Sequence, residues 1–487
     1  MQSIQKSRHE RYYAAVSNIP YESQQFYNMG SASVKGNIES RLEEWTLSSF
    51  MGRVNYEIGG KYLFQASLRA DGSSRLAADN KWNYFPGASA GWRISQEDFM
   101  ENVDWISDLK LRGSYGEVGN TSVDPYQTAG RLAGSVYAFG ESSALGFGLD
   151  EIPNEDLTWE VSKTIDIGID YSLFNGRLYG SLDWYNTNTT DILLNRGLPY
   201  TSGYTNILQN IGATESSGIE FSINGDILNN EDGLSWNVGF NITHYDEKIV
   251  ELALKDENGN PIDDIGNNWF IGQPLNVFFD YEKIGIYQSN EEALASSMED
   301  KEPGEIKLRD VNGDGVITPD DRLILGNDVP DFYGGLINSF AYRNWDFSFF
   351  FYFRQGQMIR DNFHSGNNSL FGRYNNLDVD YWTIDNPTND SPRPNENQER
   401  PRNGGTMSYF DGSFVKLRNV TLGYNFDKSI TDKLLMSNLR VYVSGQNLWF
   451  ISDYDTFDPE VSEEDGDLSS STIPSNKMIS FGVNITF

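Results

Sequence analysis

The last ten residues, Met478 to Phe487, alternate without a break. Ile479, Phe481, Val483, Ile485 and Phe487 fall on one side, and Ser480, Gly482, Asn484 and Thr486 on the other. A period of two is that of an extended strand with one apolar and one polar face. The pattern recurs in 163–174, 218–228, 236–245 and 346–354, where Ile165, Ile167 and Ile169 oppose Asp166 and Asp170, and Phe347, Phe349, Phe351 and Phe353 share a face. An apolar face can pack on a second sheet, as in a soluble antiparallel fold. It can also face lipid while the polar face lines a wet lumen. Carboxylates in mid-strand favour water on the polar side, because a dry core excludes unpaired charge.

The remaining composition narrows the choice. There is no run of about 18 apolar residues, so no membrane-spanning helix is encoded. Cysteine is absent, which excludes disulfides, thiolate metal sites and cysteine nucleophiles. Acidic residues outnumber basic ones 70 to 37, for a net charge of -33. That surface repels phosphate, so a nucleic-acid partner is not expected; it suits hydrated loops and divalent cations. An aromatic content of 14% with 46 glycines fits a wall that is greasy outside and polar inside. The first ten residues lack the apolar core of a signal peptide, so export is expected to depend on a segment encoded upstream.

Connection lengths point the same way. Strands are expected near 45–57, 61–72, 81–95, 108–118, 158–174, 176–189, 216–228, 233–246, 331–343, 345–356, 412–427, 438–450 and 477–487. Tight links (Gly59-Gly60, Asn175-Gly176, 229–233, Arg343-Asn344) carry turn chemistry. They alternate with long links at 119–157, 190–215, 247–330, 357–411 and 451–476. Residues 96–107 read as a short amphipathic helix. Short turns at one end and long loops at the other describe a bacterial outer-membrane barrel. The expected fold is therefore all-β: a partial transmembrane antiparallel β-barrel of about 13 strands with long extracellular loops. Residues 1–44 are expected as an extracellular loop segment and 45–487 as the C-terminal portion of the barrel. An odd strand count starting outside implies further strands upstream.

Several stretches are familiar as sequence. Ala66-Ser67-Leu68-Arg69-Ala70-Asp71-Gly72-Ser73-Ser74-Arg75 is followed by Asn83-Tyr84-Phe85-Pro86-Gly87-Ala88-Ser89-Ala90-Gly91-Trp92-Arg93-Ile94-Ser95, then by Leu109-Lys110-Leu111-Arg112-Gly113-Ser114-Tyr115-Gly116-Glu117-Val118-Gly119-Asn120 and Asp310-Val311-Asn312-Gly313-Asp314-Gly315. In this order they resemble the C-terminal part of a SusC/RagA-type TonB-dependent receptor, an outer-membrane importer family of Bacteroidetes, and the resemblance covers essentially the whole chain. It implies a barrel of about 22 strands, with a plug and a TonB-contacting segment that these residues lack. It implies a SusD-like surface lipoprotein as lid, a missing N-terminal barrel half, lipid around the wall, and uptake of glycans or peptides with no reaction catalysed. It also makes the Phe487 strand a terminal assembly signal. The competing readings are a secreted, calcium-stabilised β-rich glycan-binding protein or hydrolase, and a non-functional fragment.

One compact ligand pattern is present. Residues 310–321 follow the spacing of a calcium loop: Asp310, Asn312 and Asp314 at positions 1, 3 and 5, Gly315 at 6, the carbonyl of Val316 at 7 and Asp321 at 12. Ile317 would anchor it to apolar neighbours, and any Ca²⁺ would be structural. The bland alternative is an Asn-Gly/Asp-Gly turn. Carboxylate pairs such as Glu97/Asp98, Asp263/Asp264 and Asp320/Asp321 arise by chance among so many acids. His9, His244 and His364 have no partners at metal-ligand spacing. Among loop aromatics, Trp269, Tyr381 and Trp382 are the candidate substrate-stacking residues, with Phe270, Tyr374 and Tyr454 beside them. The alternative is that they pack the loops together or meet the lid. Trp82, Tyr84, Trp92, Trp184, Trp236, Trp345 and Phe487 are expected in interfacial girdles.

Overall fold

The computed structural model describes residues 1–130, 132–140, 142–149, 151–230, 233–294, 302–367, 377–395, 401–461, 466–468 and 472–487. It contains one fourteen-stranded sheet. In sheet order its strands are Gln2–Ser17, Val34–Ile58, Tyr62–Ser73, Trp82–Arg93, Ile106–Asn120, Glu160–Leu173, Leu178–Gly197, Asn206–Leu228, Leu234–Glu251, Phe332–Tyr342, Trp345–Gln355, Phe414–Asn425, Asn438–Ser452 and Met478–Thr486. Neighbours in the sheet follow one another along the chain, as in an up-and-down meander.

All thirteen expected strands are present, and a fourteenth precedes them. Residues 1–44, expected as a loop segment, begin with the strand Gln2–Ser17, which pairs antiparallel with Val34–Ile58 from Gln2↔Phe50 to Ser17↔Val34. The count is therefore even, and the parity argument loses its premise. The expected link 190–215 shrinks to 198–205, because both flanking strands run on past their apolar stretch. Residues 96–107 form two short 3-10 turns, Ile94–Gln96 and Asp98–Met100, instead of an amphipathic helix. Inside 119–157 lies a hairpin of Leu132–Phe139 with Ser142–Leu149. The tight turns use left-handed residues where glycine is cheapest: Gly59 and Gly60 at φ +60° and +72°, and Gly176 at +81°.

The chain divides into two compact units. In the first (1–90, 113–165 and 187–214), Leu76, Phe85, Val123, Leu157 and Trp159 form a buried cluster against Leu47, Val161, Leu193 and Leu208. Phe85 meets Trp159 edge-on at 5.4 Å. In the second (91–112, 166–186 and 215–487), the strand faces divide as the alternation demands. Phe481 is 83% and Val483 58% exposed, with no second layer of protein over them among the described residues. Ile167 and Ile169 are likewise open. The mid-strand acids on the other face are paired, which periodicity alone could not show. Arg112 donates to Asp166 (3.0 Å), Asp170 (3.1 Å) and Asp183, and Lys110 to Asp170 (3.0 Å). Arg440 grips Asp346 with Nε and Nη2.

Candidate functional site

Three long links of the second unit, 252–331, 356–413 and 453–477, have secondary structure of their own. Val277–Asp280 pairs with Leu323–Asn327, and Lys283–Ile286 with Ile306–Leu308. Met358–Asp361 pairs antiparallel with Tyr409–Asp411 and parallel with Asp467–Leu468, so the second and third links share a small sheet. Two small cores sit beneath. Ile306, Leu308 and Met407 cluster with Tyr281 and Ile317; Ile359, Tyr454 and Leu468 cluster with Phe410, Phe457 and Val461.

Polar clasps join the same links. The Tyr454 hydroxyl donates to buried Asp361 at 2.6 Å, and the Tyr409 hydroxyl to Asp280 at 2.8 Å. Burial and the neighbouring carboxylates push both phenols well above their ordinary range. Arg360 holds Asp467 through Nε at 2.8 Å. The buried Lys416 of strand Phe414–Asn425 donates to Asp458 and, at 2.6 Å, to Glu460 of the last link.

These links enclose a cavity of about 990 Å³. Leu323, Ile324, Leu325, Met358 and Met407 supply apolar surface; half-buried Tyr281, Phe363, Tyr409, Phe410 and Phe457 supply rings. Phe363 meets Phe457 edge-on at 5.0 Å, and His364 meets Phe410 at 4.9 Å. Burial lowers the pKa of His364 against the pull of Asp361, Asp455 and Asp390, which keeps the ring neutral. Burial also lowers that of Lys283, whose ammonium donates to the main-chain oxygen of Asp390. Asp380 is held ionised by side-chain hydrogen bonds from Thr388 and Asn386. Arg309 pairs with Glu282 at 2.6 Å.

Among the described residues, none of the loop aromatics singled out in the sequence lines this cavity. Trp382 is only 7% exposed, and its indole N–H donates to Gln288 at 2.8 Å. It is a packing residue between links, not an open stacking platform. Tyr454 is buried in the same way, and Phe270 meets Phe279 at a tilt with ring centroids 4.8 Å apart. Tyr381 remains open, with its carbonyl accepting from Asn386. Trp269 closes a turn with Asp264 through paired main-chain bonds. Tyr374 lies outside the described residues. The rings that do line the cavity come from positions with no distinguishing local pattern. Their common signal is only that they crowd into the longest links.

In the 310–321 loop, the Asp310 carboxylate accepts from the N–H groups of Gly313 (2.7 Å) and Gly315 (3.0 Å). Asn312 accepts from the Asp314 amide, and Asp314 from the Val316 amide, each at 2.8 Å. Asp321, fully buried, directs one oxygen at the Val311 amide (2.9 Å) and the other at the Thr318 amide (2.7 Å). It is thus a clasp for the loop backbone, and the main-chain bond from Thr318 leads in holding its carboxyl below the usual range. Ile317 packs against the Ile306–Leu308–Met407 core, so the loop backs one wall of the cavity.

Comparison with known proteins places this architecture. A TonB dependent receptor-like β-barrel family profile matches residues 7–448. TonB-dependent receptor P3 of Formosa agariphila is 34% identical over all of this chain, which spans 50% of that relative. TonB-dependent receptor SusC of Bacteroides thetaiotaomicron is 31% identical over 85% of the chain and 41% of its own length. The fold superposes on the structure of the RagAB peptide transporter with a TM-score of 0.81 at 22% identity, covering 100% of this chain and 56% of that one. The chain thus spans about half the length of the curated relatives it matches. With the profile extending over most of its residues, the chain belongs to the TonB-dependent receptor β-barrel family, whose members are outer-membrane transport receptors and not enzymes.

Proposed function

We propose that the chain forms part of the barrel of an outer-membrane, TonB-dependent importer that takes up glycans or peptides with a SusD-like surface lipoprotein. The observation that carries this reading is the pairing of an uncovered apolar strand face with long links that fold around a cavity. The apolar face meets acyl chains; the paired acids and bases of the other face meet water. Ligand is selected by the links, and energy is supplied through TonB acting on a plug. The 310–321 loop braces the cavity wall; Asp310, Asn312, Asp314 and the Val316 carbonyl are the donors a structural Ca²⁺ would use there.

The test is deletion of the gene in its host, with outer-membrane fractionation, co-purification of any surface lipoprotein, and uptake of labelled oligosaccharides and oligopeptides. Recovery in the membrane fraction with loss of uptake supports the proposal. A protein that stays soluble without detergent refutes it.

A further inference from the structure

We propose that the cavity between links 252–331, 356–413 and 453–477 binds a short oligomer bearing ammonium groups; this rests on the importer reading and narrows its substrate. Five carboxylates line the cavity against two fixed cations. Glu282 is spent on Arg309, which leaves Asp378, Asp380, Asp390 and Asp455 facing Lys283 alone. All four of these acids are exposed to solvent. Lys283 is half-buried and donates to the Asp390 main chain, and its single positive charge leaves the four acids in excess.

The rest of the lining fits the same ligand. A cation is favoured over an aromatic face as well as beside a carboxylate, and the rings of Tyr281, Phe363, Tyr409, Phe410 and Phe457 stand among these acids. The volume suits several linked residues of a chain, not a single small ion. An anionic oligomer would meet the net negative charge of this lining. A neutral one would use the rings but leave the excess negative charge of the four carboxylates unbalanced. Two sources carry the required chemistry, a basic peptide and an oligomer of de-acetylated amino sugar.

Isothermal titration of the full-length receptor, purified in detergent at mildly acidic pH, tests this. The probes are tetralysine, chitotetraose with free amines, its fully N-acetylated form, and tetraglutamate. One or both amine-bearing probes should bind, and which one binds identifies the source. Binding should weaken as salt screens exposed charge. Asp378→Asn with Asp455→Asn should weaken it about five- to thirtyfold; the two Asp→Glu changes should retain it. Heat-dependent gel mobility reports that each variant barrel is intact. The inference is overturned if the acetylated or acidic probe binds as well, if no probe binds, or if the Asn pair changes affinity less than about twofold. Any of those results leaves the importer reading to be judged separately, by fractionation and uptake.

Discussion

Lys416→Met is the most direct test of how the last long link is held. The Lys416 and Asp458 side chains are each 3% exposed, and Glu460 is 19% exposed. One ammonium serves both carboxylates, and Ser475 also donates to Asp458. Removing one partner of a buried ion pair costs about 3–5 kcal/mol, because a charge is left in low dielectric. Glu460 keeps Arg418 as a partner, so the lower end, about 3 kcal/mol, is expected. The burden falls on Asp458. Link 453–477 is also tied by the Tyr454–Asp361 bond and the Asp467–Leu468 pairing, so opening should be local and leave the strands intact. At about 1.4 kcal/mol per decade, amide-exchange protection at 453–461 should fall about a hundredfold. Lys416→Met combined with Asp458→Asn removes the stranded charge and should recover most of the loss. Loss of less than about fivefold protection in the single variant, or no recovery in the double, would refute the reasoning.

Further outcomes follow from the same geometry. Phe481→Arg on the uncovered face should destabilise the barrel by about 2–4 kcal/mol in urea titrations, whereas Ser480→Arg on the opposite face should be tolerated. Trp382→Ala should cost about 3–5 kcal/mol through lost packing, read as protease sensitivity of 377–395, and Trp382→Phe much less. The Asp321 carboxyl titrates lower in the folded loop than the unfolded value of about 3.9. Its contribution is therefore present above that pH and is lost as pH falls through the lower folded value; amide protection around 311–318 should drop only in acid, and Asp321→Asn should remove that dependence. If calcium occupies the loop, chelation should raise proteolysis at 310–321 and Asp310→Ala should match it. Equal cleavage with and without chelator would assign the loop to its own hydrogen bonds.

The barrel wall was legible because alternation marks the stretch of a strand that meets lipid, about 9–11 residues. Beyond that stretch the same strand continues unmarked. Val34–Ile58 runs for 25 residues, and in its first half Val34, Ile38 and Leu42 are separated on their face by Gly36 and Ser40, so strict alternation is lost. Its partner Gln2–Ser17 has mostly charged and polar residues, stitched by pairs such as Arg8 with Glu44 at 3.7 Å. Nothing in its own pattern announces a strand; its extended form comes from main-chain pairing with a neighbour. Strands Leu178–Gly197 and Asn206–Leu228 outgrow their apolar stretch in the same way, which is why 190–215 resembled a loop.

The cavity was not legible for a different reason. Its rings and charges come from links separated by long intervals, and they meet through two small cores whose members look like any loop residue. Trp382 and Tyr409 are both aromatic loop residues, yet one is sealed beside Gln288 and the other opens onto the cavity. Only tertiary packing distinguishes them. The consequence is a division of labour within one chain. Period-two patterning and turn chemistry specify the wall, while the links carry their own cores, clasps and small sheets. Substitutions at Asp378, Asp380, Asp390 and Asp455, all exposed and outside the small cores, can therefore be made without disturbing the strands. Changes at Lys416 or Trp382 would instead release a link from the wall or from its neighbours before they changed any ligand contact.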